Sequence, residues 1–104
     1  MRKIEKEMSS AVMQHINWNK DNTAVYFISA TESGNPHGAR SELYLHGNHI
    51  ADYWHDSGEL DVDIRTLQQW PSMTTRSRLR ALGADLVSIK GILHLDGKSI
   101  YNEA

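Results

Sequence analysis

Three histidines lie close together in the middle of the chain, in a pattern that suggests a metal site. They are His46, His49 and His55, and a tight hairpin turn between the first two would place their imidazoles opposite each other. A zinc site needs at least three protein ligands, and this pattern brings only two together. We therefore predict that the protein holds no tightly bound metal and no other cofactor.

A second group of residues combines negative charge with aromatic rings. Residues 52–63 contain five carboxylates and no Lys or Arg, together with Tyr53 and Trp54. Aromatic side chains commonly anchor protein interfaces, and Asp61 and Asp63 would steer a partner's approach. The pattern predicts a protein-binding surface formed by Tyr53, Trp54, Asp61 and Asp63. In the alternative, the rings belong to the core and the carboxylates keep an edge strand from pairing with another chain.

Basic side chains cluster later, in a segment that has the signature of a short helix. Arg76 and Arg80 are one helical turn apart and can act together, whereas Arg78 points elsewhere. With Lys90 and the backbone amides at the helix start, they would be able to contact phosphate groups. Nucleic-acid binding through Arg76, Arg80 and Lys90 is therefore the alternative function. A solvated helix face is the simpler interpretation of the same residues.

No arrangement in the sequence is typical of a catalytic centre. The expected signals would be a nucleophile beside an orienting base, or paired carboxylates in a protected cleft. Asp61 and Asp63 share one face of a predicted strand, but an exposed strand leaves its carboxylates solvated. We therefore predict that the protein is not an enzyme.

Composition places the chain among ordinary globular domains. Its 104 residues are 39% apolar and 23% charged, with a formal net charge of -2, so one core is expected and a strongly basic surface is not. The chain has no Cys, which excludes disulfides and thiolate chemistry. It also lacks the run of about 18 apolar residues that a membrane span needs. We expect a single domain over residues 1–104, located in the cytoplasm without membrane contact.

The periodicity of the sequence predicts the elements that carry these residues. Residues 3–16 are expected to form an N-terminal helix, because apolar residues recur there at intervals of four, close to the helical period. Residues 17–22 have the composition of a turn. Residues 23–31 are rich in β-branched and aromatic side chains, which favour a strand. The apolar helix positions are Ile4, Met8, Val12 and Ile16.

The strongest local pattern is a β-hairpin over residues 41–54. Gly47 and Asn48 tolerate positive φ and are typical of a two-residue turn, so we predict that they close the hairpin. Each step away from such a turn advances one residue along both strands, which fixes the register. The predicted pairs are His46 with His49, Leu45 with Ile50, and Tyr44 with Ala51.

The second half of the chain predicts further strands and a second helix. Residues 59–64 alternate acidic and apolar side chains, as in a half-buried strand. A short helix over residues 76–82 would begin after a hydroxyl N-cap and end at Gly83, before two short strands within residues 85–95. The fold class is then α+β, an antiparallel sheet of about five strands packed against one or two helices. The predicted core comprises Val25, Phe27, Leu43, Leu45, Ile50, Leu60, Val62, Ile64, Leu79 and Leu82.

Two segments resemble a family of small proteins from tailed bacteriophages. LYLHGNHIA (residues 43–51) is similar to the family's LHGN-x-IA hairpin, and WPSMTTRSRLRAL (residues 70–82) to its W-x-T-x-TT-x-RLNAL segment. The sequence departs from the pattern at Gln69, Ser72 and Arg80, and any role of the Asn that Arg80 replaces cannot be transferred. The resemblance implies a phage accessory or early gene product and transfers no activity. The expected partner is a host or phage protein in the host cytoplasm, and the binding would modulate a host factor in one version of this hypothesis. A homo-oligomer is also compatible with the sequence.

Overall fold

The computed structural model describes residues 2–34 and 36–101. The helices are α1 (Lys3–Met13), α2 (Ala30–Ser33), α3 (Ile64–Gln69) and α4 (Met73–Ala81). The strands are β1 (Trp18–Lys20), β2 (Thr23–Ile28), β3 (Arg40–Leu45), β4 (Asn48–Trp54), β5 (Glu59–Val62), β6 (Leu86–Ile89), β7 (Ile92–Leu95) and β8 (Lys98–Ser99). Over these described ranges, every helix is too short and too polar to cross a lipid bilayer.

The strands form two antiparallel sheets. β1 to β5 make a five-stranded sheet in which each strand pairs with the next along the chain, and β6 to β8 make a separate three-stranded sheet. The predicted α+β class and antiparallel sheet are confirmed. The predicted turn over residues 17–22 is shorter than expected, because Trp18–Lys20 forms the edge strand β1 and the chain reverses at Asp21, which has a positive φ of 54°.

The core lies between one face of the five-stranded sheet and the helices. α1 packs on β2, while α3 and α4 pack on β4. Six predicted core residues are buried: Val25, Leu43, Leu45, Ile50, Val62 and Leu79. The other four, Phe27, Leu60, Ile64 and Leu82, are only half-buried. Among the further core residues are Met8 and Val12 of α1, Leu67 of α3, Leu86 and Leu93 of the second sheet, and Ile100 directly after β8.

The N-terminal helix ends at Met13, three residues earlier than predicted. His15 adopts a left-handed conformation with φ 58°, and its amide donates to the Val12 carbonyl while the Ile16 amide donates to the Ala11 carbonyl. These two bonds form a Schellman motif, which closes a helix by satisfying its last carbonyls. Ile16 therefore lies outside the helix and is 45% exposed.

The predicted hairpin register is wrong. His46 and Gly47 form the turn, with φ of 53° and 78°, so Asn48 begins β4 instead of closing the loop. The positive φ values of two successive residues are those of a type I′ turn. A bulge at Ile50 then adds one residue to β4. The observed pairs are Leu45 with Asn48, Tyr44 with His49, and Leu43 with Ala51.

The predicted strand over residues 59–64 ends early, because Asp63 starts a helix. Its carboxylate accepts a hydrogen bond from the Thr66 amide (3.1 Å) and so caps α3. Ile64, predicted as the last residue of the strand, is instead the first residue of α3. The next helix also begins early, at Met73, since the Ser72 hydroxyl accepts from the Thr75 amide. Its predicted end at Gly83 is confirmed, with φ 102° and a bond from the Gly83 amide to the Arg80 carbonyl.

Candidate functional site

The face of the five-stranded sheet that points away from the core is the candidate site, and we call it the outer face. Residues directly opposite each other in neighbouring strands share a face. Trp54 is opposite both Arg40 and Glu59, and Asp52 is opposite Asp61. The outer face therefore runs from β2 to β5 and includes Tyr26, Arg40, Glu42, Tyr44, His49, Asp52, Trp54, Glu59 and Asp61.

Trp54 is held in place on this face by a cation. The Arg40 guanidinium lies 5.5 Å from the centre of the indole ring, a cation–π distance, and donates to the Glu42 carboxylate at 2.9 Å. The His37 ring approaches the indole edge-on at 6.1 Å. The indole is half-buried by these neighbours, so a partner would meet a ring whose orientation is already fixed.

Two adjoining depressions meet at Trp54, Glu59 and Asp61. One, which we call the β5 groove, has a volume of about 570 Å³ and runs between β5 and the second sheet. The other has about 600 Å³ and includes Asp56. Among the described residues, neither depression is lined by Lys or Arg, so both have a negative electrostatic character. The β5 groove is also lined by Gly58, Leu60, Val62, Leu82, Gly83, Ala84, Leu95 and Asp96.

The structure brings together only two of the four residues predicted for protein binding. Trp54 and Asp61 line the same two depressions. Tyr53 packs against the core instead, because the bulge at Ile50 shifts the alternation so that Tyr53 lies on the core side and Trp54 on the outer face. Asp63 is occupied by the cap of α3 and by a contact with His49. Glu59 lines the same two depressions and is not among the residues predicted for binding, although the alternation over residues 59–64 places it beside Asp61.

His49 bridges two carboxylates on the outer face. Its Nε2 lies 2.7 Å from Asp52 and its Nδ1 lies 3.0 Å from Asp63. Partial burial alone would lower the pKa of His49, but the hydrogen bonds with Asp63 and Asp52 outweigh that effect and raise it. Burial likewise works to raise the pKa of Asp63, while the bonds to His49 and Thr66 lower it overall. This contact depends on the observed register and could not be found from the predicted one.

The three histidines considered for metal binding lie in different surroundings. His46 is exposed at the hairpin turn, and His49 contacts the two carboxylates. His55 faces the core side, where its Nε2 is 2.8 Å from the Ser41 hydroxyl and its ring centre is 4.0 Å from that of His15. Across residues 2–34 and 36–101, no three His, Asp or Glu side chains are arranged so that they could hold a metal ion. Burial and the neighbouring His15 lower the pKa of His55.

The arginine cluster is divided between surface and core. Arg78 is buried and pairs with Glu5 at 2.8 Å. Arg76 and Arg80 remain at the surface, but Arg80 donates to the Leu86 carbonyl at 2.9 Å, which fixes it against β6. Lys90 directly follows the other end of β6, four residues beyond Leu86. At the usual rise per residue of a strand, its backbone lies about 13 Å from that of Leu86. The three residues of the alternative site therefore do not form one compact patch.

Comparison with known proteins and protein families identifies the family of this chain. Neither a curated protein nor a solved structure is significantly similar to the chain. A family model described as the Kyanoviridae Gp96 protein, a small protein of tailed phages, matches residues 1–103. This agrees with the resemblance carried by the hairpin and the α4 segment. The chain is therefore a member of the Kyanoviridae Gp96 family.

Proposed function

We propose that the protein is a non-enzymatic binding module that captures a host or phage protein through the part of the outer face around Trp54. As a phage accessory or early product it would act in the host cytoplasm, for example by modulating a host factor. The observation that carries the proposal is the position of Trp54 between two acidic depressions. Trp is enriched among the residues that contribute most of the binding energy at protein interfaces.

The geometry of Ser41 and His55 supports the non-enzymatic part of this proposal. Their 2.8 Å contact is the distance expected between a nucleophile and its general base. However, the Ser41 side chain lies on the core side of the central strand β3 and is fully buried. A substrate would have to displace the core to reach the hydroxyl. We therefore assign this hydrogen bond a structural role.

Charge favours a protein partner over a nucleic acid. The outer face carries Glu42, Asp52, Glu59 and Asp61 against Arg40 and His49, and a phosphate backbone would be repelled by such a surface. Arg76 and Arg80 lie on α4, on the core side of the sheet, where they do not extend the outer face. Nucleic-acid binding through these arginines and Lys90 is kept as the alternative that the experiment must distinguish.

The test is affinity capture from lysate of infected host cells, with captured proteins identified by mass spectrometry. We expect W54A to lose a partner that the unmodified protein retains, since truncating an aromatic anchor costs about 2 kcal/mol or more. W70A is the matched control, because Trp70 is 54% exposed and lies outside both depressions. D61K should weaken the same capture.

Two results would contradict the proposal. The first is capture of the same proteins by W54A and by the unmodified chain. The second is capture that disappears after nuclease treatment and in the double variant R76E/R80E, with affinity that falls steeply with salt. That second result would identify a nucleic-acid partner, because counterion release makes phosphate contacts strongly salt-dependent.

A further inference from the structure

β5 is an edge of the five-stranded sheet, and part of its backbone has no partner. The Asp63 amide donates to the Ile50 carbonyl at 2.8 Å. In an antiparallel pair of strands, every second residue bonds its neighbour strand and the residues between point the other way, so Asp61 and Asp63 bond β4. Leu60 and Val62 are therefore the residues whose N–H and C=O groups point away from β4. Within the described part of the chain, these groups have no hydrogen bond across the open edge. Such an edge can accept another strand.

The open edge faces the β5 groove, whose opposite side is formed by the second sheet and the end of α4. Leu60 and Val62 lie on the core side of β5, and Leu82 and Leu95 line the groove beyond them. A strand added to this edge would direct every second side chain towards these apolar residues. The groove therefore offers both an unpaired backbone and an apolar surface for alternate side chains.

The other side chains of an added strand would meet negative charge. Glu59 and Asp61 are exposed on the outer face of β5, and Asp96 also lines the groove. A residue opposite Glu59 or Asp61 would share their face and lie about 5 Å away between Cβ atoms. Lys or Arg at those positions would be favoured, whereas Asp or Glu would be repelled.

The same charges disfavour a second copy of this chain as the occupant. Antiparallel pairing of β5 with its copy would bring Glu59 and Asp61 of one molecule beside those of the other. Like charges on neighbouring strands are destabilising, and charged edge strands are a common protection against self-association. The occupant that fits the edge must therefore come from another protein.

We propose that the partner binds by strand addition, with an extended segment of alternating basic and apolar residues pairing with β5 as a sixth strand. This inference rests on the proposed function and specifies its binding mode. The backbone groups of Leu60 and Val62 would bond the apolar positions of the segment, and Glu59 and Asp61 would contact the basic positions. Trp54 lies in β4 opposite Glu59 and lines the adjacent depression, where it would contact a long basic side chain of the bound segment. Main-chain bonds then provide affinity and alternate side chains provide selectivity.

The test uses the full chain and the synthetic peptide acetyl-KVKVKV-amide, with amide hydrogen exchange followed by NMR. Binding should slow exchange at Leu60 and Val62, while the amide of Asn19 in the other edge strand, β1, should not change. A peptide with N-methylvaline at all three valines keeps every charge but cannot donate to β5, so it should bind about tenfold more weakly or not at all. Acetyl-EVEVEV-amide should not bind, and E59K/D61K should lose the lysine peptide.

Three outcomes would overturn strand addition: no binding of the lysine peptide at millimolar concentration, equal binding of the N-methylated peptide, or binding without protection of Leu60 and Val62. Each of these is separable from a failure of the proposed function. If the peptide fails but W54A still abolishes capture from lysate, the outer face binds a protein by another mode. If W54A captures normally, the proposed function itself is wrong.

Discussion

The Arg78 guanidinium donates to the Glu5 carboxylate across 2.8 Å, and both side chains are 4% exposed. Arg78 also donates to the Thr23 hydroxyl at 3.1 Å, and the Ser77 hydroxyl donates to Glu5 at 2.5 Å. Burial alone would raise the pKa of Glu5, but the bonds from Ser77 and Arg78 lower it overall. One polar cluster thus connects α1, β2 and α4 inside the core.

Removal of one partner from this pair should destabilise the protein strongly. We expect R78M to lower the free energy of unfolding by about 3–5 kcal/mol, because it leaves the buried Glu5 carboxylate without a counter-charge. The double variant E5Q/R78M should lose much less than the sum of its two single variants. Urea unfolding measures each value. R76M, in the same helix but at the surface, should change stability by less than about 0.5 kcal/mol.

The contact of His49 with Asp52 and Asp63 should make stability fall as the pH rises. The pKa of His49 is higher in the folded than in the unfolded state, so its contribution is fully present below the unfolded value of about 6.5 and is lost as the pH passes through the folded value. Urea midpoints measured between pH 6 and pH 9 should show this loss. H49Q should remove it, whereas H46Q, at the exposed turn, should keep it. Identical pH dependence in H49Q and the unmodified protein would show that a charged His49 does not stabilise the fold through Asp52 and Asp63.

His55 should titrate below the ordinary histidine range, and His15 should be part of the reason. Burial is the larger cause of the lowered pKa of His55, the charge of His15 adds to it, and Asp56 opposes both. Replacing His15 by Asn removes that charge and retains a residue that tolerates the left-handed backbone. We expect the pKa of His55, followed by NMR, to rise in H15N. An unchanged value would mean that burial alone sets it.

The two possible hairpin turns predict opposite responses to valine. A β-branched residue is unfavourable at positive φ, with a cost of about 1–2 kcal/mol, but suits a strand. Because His46 has φ 53° and Asn48 lies in β4, H46V should destabilise the protein and N48V should be tolerated. The loss in H46V should be smaller than that amount, since His already bears part of the cost of positive φ. Thermal unfolding compares the two variants. If N48V were less stable than H46V, the turn would be the Gly47-Asn48 turn predicted from the sequence.

The sequence predicts the local patterns well and the remote contacts poorly. The alternation around Leu60 and Val62 identifies β5, and Gly83 identifies the end of α4, because each signal is contained within a few residues. The start of α4 is predicted three residues too late, because several hydroxyl side chains in a row can act as its cap. The hairpin register is not determined locally, since Ile50 and the neighbouring Ala51 are both apolar and either can face the core.

The same limit applies to the candidate site and to the arginine cluster. Trp54 and Asp61 could be predicted because they lie in one acidic, aromatic stretch. Asp96 and Leu95 complete the β5 groove from a distant part of the sequence. The burial of Arg78 depends on Glu5, 73 residues away, and no spacing rule connects residues at that separation.

The order of the strands has a consequence for synthesis on the ribosome. Each of β2 to β5 pairs with the strand made just before it, so the sheet can assemble progressively as the chain emerges, with only a local connection to close at each step. α1 is different, because the partner of Glu5 is translated 73 residues later. Until then the Glu5 carboxylate must stay in water or be protonated, so the first helix made is among the last elements to reach its final place.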